Sequence, residues 1–322
     1  MANRTGTGQR LDILLATFNG AAYLPEQLAS IEAQTCSNWR VLIRDDGSTD
    51  QTVPILRDWV KRLGPRAHLL EDRDTGLGAA GNFARLLAAS DAPYFSFCDQ
   101  DDVWMPDKCE RLFHALRKME SGCGADVPLL VHCDLEVVDQ DLKPVAPSFR
   151  VLEHRQPSVI TVPQKLLIHN VVTGCALMGN AALRQASLPM PGGIMMHDWW
   201  LALLARYAGQ IGDVPEPLVK YRRHGENVTG QGPSSVVAAF GRLLSGRDTL
   251  WRRMRSYVGQ TQLQSAALAD RLAALGQDQD IECAVAFAGL SRRNFLARRI
   301  FLSKNRMWTP SLLRNVGFLA AV

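Results

Sequence analysis

The first half of the chain alternates short apolar segments with segments in which apolar residues recur every three or four positions. The former have the length of strands, and the latter have the spacing of amphipathic helices. This alternation predicts an α/β fold, with a mainly parallel sheet flanked by helices on both faces. The predicted strands are 11–16, 39–44, 68–70, 94–98, 129–132 and, near the sheet edge, 170–178, and the predicted helices begin near residues 24, 50, 81, 108 and 197.

The pattern changes in the last third of the chain. From about Val236 onward apolar residues keep a helical spacing and no strand candidate remains. Gly230, Gly232 and Pro233 interrupt any regular element just before this change. We therefore expect an α/β domain over residues 1–232 and a helical region over residues 233–322.

Three of the predicted strands end in polar residues. In open parallel sheets, ligands bind beyond the carboxyl ends of the strands. The sequence therefore predicts one polar crevice to which these strand ends contribute. The clusters are Thr17-Phe18-Asn19, Asp45-Asp46 and Asp99-Gln100-Asp101-Asp102.

The cluster 99–102 places three carboxylates within four residues, directly after an apolar strand. Such groups repel one another unless positive charge lies among them, and carboxylate, water and phosphate oxygens suit Mg²⁺ or Mn²⁺. A bound ion would neutralise the charge that grows on a departing diphosphate. The alternative is a solvated acidic turn that precedes a helix starting near Pro106.

The cluster from Asp45 to Asp50 also has two interpretations. A carboxylate at this strand end can accept a hydrogen bond from a uracil or thymine N–H or from a ribose hydroxyl. Alternatively, Gly47 and Ser48 form a tight turn that caps the next helix. The second acidic cluster at Asp99 favours ligand binding.

The turn after the first strand argues against two common enzyme classes. Residues 17–22 contain one glycine, so they form neither a GxGxxG dinucleotide loop nor a Gly-rich, Lys-bearing P-loop. A nicotinamide-dependent oxidoreductase and a P-loop kinase are both disfavoured.

Composition indicates a folded protein of a reducing compartment. The chain is 47% hydrophobic and 21% charged, and its seven cysteines include no CxxC pair, which fits neither a zinc knuckle nor a disulfide framework. The first ten residues are polar, and no apolar run approaches the roughly 20 residues that span a bilayer. We expect a cytoplasmic protein.

Four segments in order resemble the motifs of the family 2 glycosyltransferases, which are inverting enzymes of GT-A fold, over roughly residues 10–230. They are Thr17-Phe18-Asn19-Gly20, Asp45-Asp46-Gly47-Ser48-Thr49-Asp50, Gly81-Asn82-Phe83 and Asp99-Gln100-Asp101-Asp102-Val103-Trp104. Within that family, three segments look most like bacterial rhamnosyltransferases of surface polysaccharide and lipopolysaccharide assembly: residues 98–104, 197–200 and 222–227. The family pattern has Tyr where this chain has Phe18, which removes one hydroxyl near the base.

The resemblance implies roles on the donor side of the crevice. Thr17, Asn19 and Asp45 would hold the nucleobase and ribose, and Asn82 would lie near the donor. Asp99 and Asp101 would form a DxD element for Mg²⁺ or Mn²⁺, with Asp101 the direct ligand and His224 completing the site.

Two arginines next to His224 support its assignment to the metal site. Arg222 and Arg223 flank the histidine, and a cationic loop suits a diphosphate. We therefore expect Arg223 to contact the nucleotide sugar. The alternative for His224 is a structural histidine.

The resemblance assigns Asp198 as the catalytic base and Thr173-Gly174 as an acceptor-side segment. Inversion needs one base to take the acceptor hydroxyl proton. A helix N-terminus favours the ionised carboxylate, whereas Trp199 and Trp200 beside it would desolvate it and raise its pKa. The alternative for Asp198 is helix capping. The two tryptophans, with Trp104, either stack on sugar rings or pack in the core.

The C-terminal residues are unevenly charged. Seven basic residues and no acidic residue follow Glu282. A basic amphipathic helix with an apolar face is typical of membrane-surface binding, here at the cytoplasmic face of the inner membrane. The alternatives are packing on the catalytic domain or a homodimer contact, whereas nucleic-acid binding is disfavoured because no recognised module accompanies the charge. The expected face contains Phe287, Leu290, Ala297, Ile300 and Phe301.

The resulting hypothesis is single-displacement transfer of a sugar from a nucleotide diphosphate, with dTDP-L-rhamnose favoured, to a glycan or lipid-linked glycan hydroxyl. A nucleotidyltransferase is one alternative, although it would need a Gly-rich basic loop after the first strand. The other is a catalytically inactive nucleotide-sugar-binding scaffold on the same fold.

Overall fold

The computed structural model describes residues 10–72, 74–155, 158–225, 247–277 and 281–308, with positions 315, 318, 319 and 322. The predicted domain boundary near residues 230–234 lies outside these ranges. The division into residues 1–232 and 233–322 therefore stays a prediction.

The strands of the described chain form one mixed sheet. The order is β3-β2-β1-β4-β8-β6-β9-β5, with β7 paired to β6. β1, β2, β3 and β4 are mutually parallel where they pair, and β6 and β9 form a long parallel pair. The strands are β1 (Leu11–Thr17), β2 (Trp39–Asp45), β3 (Ala67–Leu69), β4 (Tyr94–Cys98), β5 (Val103–Trp104), β6 (Leu129–Val138), β7 (Pro144–Ala146), β8 (Leu177–Asn180) and β9 (Gln210–Arg222).

Helices cover both faces of this sheet and make up the C-terminal part. They are α1 (Leu24–Glu32), α2 (Thr52–Leu63), α3 (Gly78–Ala89), α4 (Lys108–Cys123), α5 (Phe149–Leu152), α6 (Ser158–Thr161), α7 (Pro163–Leu166), α8 (Ala181–Ser187), α9 (His197–Ala208), α10 (Arg247–Ala274), α11 (Ile281–Ala288) and α12 (Phe295–Lys304). The predicted α/β class and the helical C-terminal region are confirmed.

Strand register brings the predicted polar clusters together. In the parallel β1–β2 pair Thr17 lies opposite Asp45, and in the β1–β4 pair Leu15 lies opposite Cys98. Because parallel strands end at the same sheet edge, residues that follow Thr17, Asp45 and Cys98 share one crevice.

Two strand predictions differ from the structure. The segment predicted as an edge strand over 170–178 contains a 3₁₀ turn at Gly174–Ala176, and β8 follows it between β4 and β6, in the middle of the sheet. The strand β9 has no counterpart in the prediction, because the alternating exposure of its first half gives no continuous apolar run.

The C-terminal helices share a core with the α/β part. Helix α9 is buried along nearly its whole length, and its apolar cluster continues through Leu268 of α10, Phe287 of α11 and Leu302 of α12. Phe287 and Leu290, expected on a membrane-facing surface, are 0% exposed, so that expectation is wrong for both. No described helix combines the length and apolar character that crossing a membrane requires.

Candidate active site

Asp45 is fixed at the carboxyl end of β2 by its neighbours. The Thr17 hydroxyl donates to Asp45 Oδ1 at 2.8 Å, and the backbone N–H groups of Gly47 and Ser48 donate to Oδ2 at 3.1 and 2.7 Å. The residue stays partly exposed. The backbone bonds confirm the turn at Gly47 and Ser48, whereas α2 begins only at Thr52, after its N-cap Gln51. Binding of a ligand by Asp45 stays a prediction.

Asn19 joins the first two strand-end loops. Its backbone N–H donates to Ser48 Oγ at 2.8 Å, and its side-chain oxygen accepts from the Thr49 N–H at 2.8 Å. The residue has φ 47°, in the left-handed region that asparagine tolerates better than most residues. Asn19 thus shapes the crevice wall rather than standing free in it.

Asn82 supports this wall from behind. It is 3% exposed, its side-chain oxygen accepts from Arg44 at 3.1 Å, and its amide donates to the backbone oxygen of Arg44 at 3.2 Å. Arg44 is itself fully buried and also bonds Asp46 at 3.2 Å. Asn82 therefore holds the end of β2, and its expected position near the donor stays a prediction.

Gln100, which the sequence did not single out, connects the acidic loop at 99–102 to the loop that follows β1. Gln100 accepts from the Phe18 N–H at 2.9 Å and donates to the Phe18 carbonyl at 2.8 Å. A Cβ on Gly20 would lie 2.1 Å from the Gln100 side-chain oxygen, so a larger residue at position 20 would force Gln100 to move. The available sequence signal was that Gln100 is the one uncharged residue within the acidic cluster 99–102.

Asp101 and His224 lie side by side at the mouth of the acidic cluster. Asp101 Oδ2 and His224 Nε2 are 2.8 Å apart, and the two side chains are 17% and 10% exposed. Strand β9 delivers the histidine, because it pairs with β5 and its Arg222 bonds the Asp101 carbonyl at 2.8 Å. The structure thus brings together two of the three predicted metal ligands.

Asp99 lies in a second group, with Asp102 and Cys175. Their ligand atoms all lie within 4.8 Å of one another. Burial, followed by repulsion from Asp101 and Asp198, raises the pKa of Asp99 to about 7, and burial raises the pKa of Asp102 well above its usual value. These carboxyl groups are costly to ionise together unless a cation joins them.

The donor set fits a divalent ion in part. The 2.8 Å between Asp101 and His224 matches two adjacent ligands of an octahedral ion with bonds of about 2.1 Å. Apart from the Cys175 thiol, the buried Asp102 Oδ2 has no hydrogen-bond partner among the described residues. Asp99, Asp101 and His224 do not form one tight triad in the described chain, so Asp99 reaches the predicted ion only with a shift of the loop.

Asp198 lies in the first turn of α9, on the other side of the acidic cluster. Its Oδ2 accepts from the Gly174 N–H at 3.0 Å, and its Oδ1 accepts from Asn170 at 3.2 Å. Burial raises its pKa to about 6 against the opposing effects of Arg155 and backbone N–H groups. The helix cap is Met196, so the capping alternative for Asp198 is wrong, and burial outweighs the helix N-terminus.

Gly174 sets the position of this carboxylate. A Cβ at Gly174 would lie 2.8 Å from His197 Nε2 and 3.7 Å from the Asp198 Cβ. His197 is buried, and burial lowers its pKa to about 3, so it is a neutral packing group. The neighbouring Thr173 hydroxyl accepts from Arg155 at 3.3 Å. The predicted acceptor-side segment therefore contacts the predicted base directly.

Comparison with known proteins identifies the family. The profile described as Glycosyl transferase family 2 matches residues 12–183, which is more than half of the chain. The chain belongs to the family 2 glycosyltransferases. The matched region contains β1, β2 and β4 and both acidic clusters.

Two relatives show how far this likeness extends. An uncharacterised glycosyltransferase of Rickettsia prowazekii is 29% identical over 171 residues, covering 52% of this chain and 49% of the relative, so the match spans about half of that protein. The dTDP-rhamnosyl transferase RfbG of Shigella flexneri is 28% identical over 247 residues, covering 74% of this chain and 81% of the relative.

Solved structures confirm the fold of this glycosyltransferase. TarS of Staphylococcus aureus, in complex with UDP-GlcNAc, aligns with a TM-score of 0.59 at 13% identity, covering 97% of this chain and 79% of TarS. The mannosyltransferase PcManGT of Pyrobaculum calidifontis, in complex with GDP-Man and Mn²⁺, aligns with a TM-score of 0.55 at 16% identity, covering 97% and 84%. The fold is GT-A.

Three residues that were predicted to contact a sugar or a diphosphate have partners within the protein itself. Trp199 and Trp200 are 5% and 0% exposed, and their indole N–H groups donate to the carbonyls of Leu166 and Ser187. The packing alternative for both tryptophans therefore holds, and sugar stacking does not. One Nη of the Arg223 guanidinium forms an ion pair with a carboxylate 2.5 Å away, and its expected contact with a diphosphate stays a prediction.

A buried lysine behind the acidic cluster was not predicted. Lys108 is 0% exposed, donates to the Cys175 carbonyl at 2.7 Å and lies 3.1 Å above the Trp104 ring. Desolvation lowers its pKa, and its charge lowers the pKa of Asp99. A positive charge in the first turn of a helix is unfavourable, so Lys108 at the start of α4 was the sequence signal for an unusual environment.

Proposed function

We propose that this glycosyltransferase moves L-rhamnose from dTDP-L-rhamnose onto a hydroxyl of a glycan or lipid-linked glycan, with inversion. The observation that carries the proposal is the position of Asp198, a buried carboxyl group whose pKa is raised to about 6 and whose charge acts on Asp99. A base with a pKa slightly below neutral is ionised at the working pH and still accepts a proton effectively.

The proposed step is a single displacement at the anomeric carbon. As the acceptor oxygen forms its bond to that carbon, its proton passes to an oxygen of Asp198. The bond from the anomeric carbon to the diphosphate breaks on the opposite face, and dTDP leaves with the electron pair. The Gly174 N–H and Asn170 amide hold the carboxylate in one orientation through this transfer.

The donor would occupy the ends of β1 and β2. Asp45, held by Thr17 and Ser48, offers an acceptor to a thymine N–H or ribose hydroxyl. Phe18 is 54% exposed beside these groups, and its ring offers a face on which a base can stack. The loss of the hydroxyl at this position relative to the family pattern leaves stacking as the remaining contact.

Asp101 and His224, with Asp99 and Asp102 behind them, are the groups that would hold Mg²⁺ or Mn²⁺. The ion would supply positive charge to the departing diphosphate. Lys108 contributes a fixed charge from below the cluster, which limits repulsion among these carboxyl groups before the donor arrives.

The choice of rhamnose is supported by the likeness to a dTDP-rhamnosyl transferase over most of both chains. The choice is also supported by the resemblance of residues 98–104 and 197–200 to bacterial rhamnosyltransferases. By this proposal the enzyme acts at the cytoplasmic face of the inner membrane, in bacterial surface polysaccharide synthesis.

The test is a thermal-shift panel of dTDP-, UDP- and GDP-sugars with Mn²⁺. A ligand that binds only the folded state stabilises it by about 2.7 kcal/mol at a hundredfold excess over Kd. We expect dTDP-L-rhamnose to give the largest shift, the Asp45→Ala variant to lose it, and the exposed Asp58→Ala variant to keep it. A larger shift with a UDP- or GDP-sugar would overturn the donor assignment.

Product analysis separates the remaining alternatives. Release of dTDP and transfer of the sugar support the proposal. Release of pyrophosphate from dTTP and a sugar phosphate would make the protein a nucleotidyltransferase. Nucleotide-sugar binding without release under any condition would make it an inactive scaffold.

A further inference from the structure

Helix α12 presents an apolar surface that the rest of the described chain leaves uncovered. Phe295, Leu296 and Ile300 are 70%, 66% and 58% exposed, whereas Leu302, nearer the end of the helix, is fully buried. Residues four positions apart lie on one side of a helix. Phe295, Leu296 and Ile300 together with Arg299 therefore form one face, called the α12 surface below.

The α12 surface is surrounded by positive charge. Residues 283–322 contain seven Arg or Lys residues and no Asp or Glu. Arg292, Arg293, Lys304 and Arg306 are exposed around the helix. The combination of protruding apolar side chains with excess basic charge is what an interfacial helix requires.

One basic residue is built into the apolar face. The Arg299 guanidinium lies 3.3 Å from the centroid of the Phe295 ring, and it donates to the Leu319 carbonyl at 2.7 Å. Arginine stems cover apolar surface while the charged end stays at the polar boundary. This arrangement places a cation directly beside the exposed phenyl ring.

A groove of about 650 Å³ runs beside the same face, between α11 and α12. Its lining combines apolar Ile300 and Phe301 with two basic residues, Arg293 and Lys304, and one acidic residue, Glu282. The apolar surface thus continues into a recess with more basic than acidic side chains.

We propose that the α12 surface docks on an anionic lipid bilayer. The three apolar side chains would enter the headgroup and acyl boundary, and the basic residues would contact lipid phosphates. A nucleic acid would meet the arginines but leave Phe295, Leu296 and Ile300 without an apolar partner. A second copy in a symmetric dimer would bring two basic surfaces against each other, which like-charge repulsion opposes. The inference is independent of the sugar and nucleotide proposed above.

The test is co-flotation of the full chain with vesicles of phosphatidylcholine, alone or with a minority of phosphatidylglycerol. We expect binding to the anionic vesicles to be at least about tenfold tighter than to the neutral ones and to weaken with salt. The Leu296→Ser, Ile300→Ser double variant should lose at least about tenfold in affinity. Its matched control is the Leu263→Ser, Val145→Ser variant, which alters side chains 66% and 57% exposed elsewhere.

A second pair of variants tests the charge. The Arg292→Gln, Lys304→Gln, Arg306→Gln variant should weaken binding roughly fivefold for each residue, while the Arg57→Gln, Lys61→Gln, Lys118→Gln variant should not. Arg298 and Arg299 are left unchanged because they bond backbone carbonyls.

Four results would overturn the proposal. Two of them concern the wild-type protein: no binding to anionic vesicles, or equal binding to neutral vesicles. The other two concern the Leu296→Ser, Ile300→Ser variant, provided that its thermal unfolding matches that of the wild type. They are full binding to anionic vesicles, or a change from dimer to monomer. The last would assign the surface to self-association. Binding of the same surface to a single-stranded oligonucleotide instead of vesicles would assign it to nucleic acid.

Discussion

Asp101 Oδ2 and His224 Nε2 lie 2.8 Å apart although 123 positions separate them in the chain. The contact depends on β9, which runs parallel to β6 and ends at Arg222, two residues before His224. In the structure the two groups lie at hydrogen-bond distance from each other. Under the proposed function a divalent ion would replace this contact and take both groups as ligands.

The first prediction concerns this exchange. His224→Gln removes the imidazole but keeps a polar side chain, so Mn²⁺ affinity should fall by at least about tenfold. Isothermal titration of Mn²⁺ in the presence of dTDP measures the effect. His114→Gln, on the exposed side of α4, is the control. Unchanged Mn²⁺ affinity would place the ion among Asp99, Asp102 and Cys175 instead.

The second prediction concerns the base. Asp198→Asn keeps the shape and the bond to the Gly174 N–H but cannot take a proton, so kcat should fall by about 10²–10⁴. Donor affinity, followed by thermal shift, should stay within a factor of a few. The exposed Asp58→Asn variant should keep full activity. A loss confined to KM would show that Asp198 only positions the acceptor.

The pH dependence follows from the same carboxyl group. Because burial raises the pKa of Asp198 to about 6, the group is protonated in the folded protein at pH values where a free aspartate is ionised. Activity should therefore fall about tenfold per pH unit below pH ~6 and level off above it. The raised pKa also means that folded-state stability from this group is greatest in acid and decreases between pH ~4 and pH ~6. An activity limb near pH 4 would exclude Asp198 as the titrating base.

The third prediction tests the close approach at Gly174. Gly174→Ala puts a Cβ 2.8 Å from His197 Nε2, and α9 must shift to make room. We expect a loss of about 1–3 kcal/mol in the free energy of unfolding, together with a fall in kcat, because the base moves with the helix. At Gly192 an added Cβ meets nothing within 4 Å, so Gly192→Ala should change neither quantity. Urea unfolding and initial rates measure both.

The fourth prediction concerns Lys108. Lys108→Met preserves the length of the side chain but leaves the buried carboxyl groups without their internal cation, which should cost about 3 kcal/mol at pH 8. Asp99 has a pKa of about 7, so lowering the pH to 5 protonates it and should reduce the loss. Lys118→Met, on the exposed side of α4, should be neutral. An equal loss at both pH values would mean that packing on Trp104 is the whole role of the lysine.

Much of the crevice was predictable because it is built from strand ends. The apolar runs of β1, β2 and β4 identify the strands, and parallel pairing then forces Thr17, Asp45 and Asp99 to one edge. These are local signals combined with one topological rule. They predicted that the three strand ends meet at one edge of the sheet, which the strand register confirms.

The supporting contacts were not predictable because they depend on partners distant in sequence. Whether Asn82 faces a ligand or the buried Arg44 depends on how α3 packs, and whether Gln100 is free depends on the first loop. From the sequence, Trp199 could either stack on a sugar or pack in the core, and only the apolar cluster around α9 shows that it packs in the core. The same holds for α12, where helical spacing alone does not show which side faces the core.

The most direct test of the proposed mechanism is an assay of dTDP release. Purified protein is mixed with dTDP-L-rhamnose, with Mn²⁺ or with a chelator, and Asp198→Asn is run in parallel; water takes the place of the acceptor hydroxyl, so that rhamnose and dTDP are the products. We expect release of dTDP by the wild-type protein with Mn²⁺, little release with the chelator, and little release by the variant under either condition. Equal release by wild type and Asp198→Asn, or full release in the chelator, would contradict it.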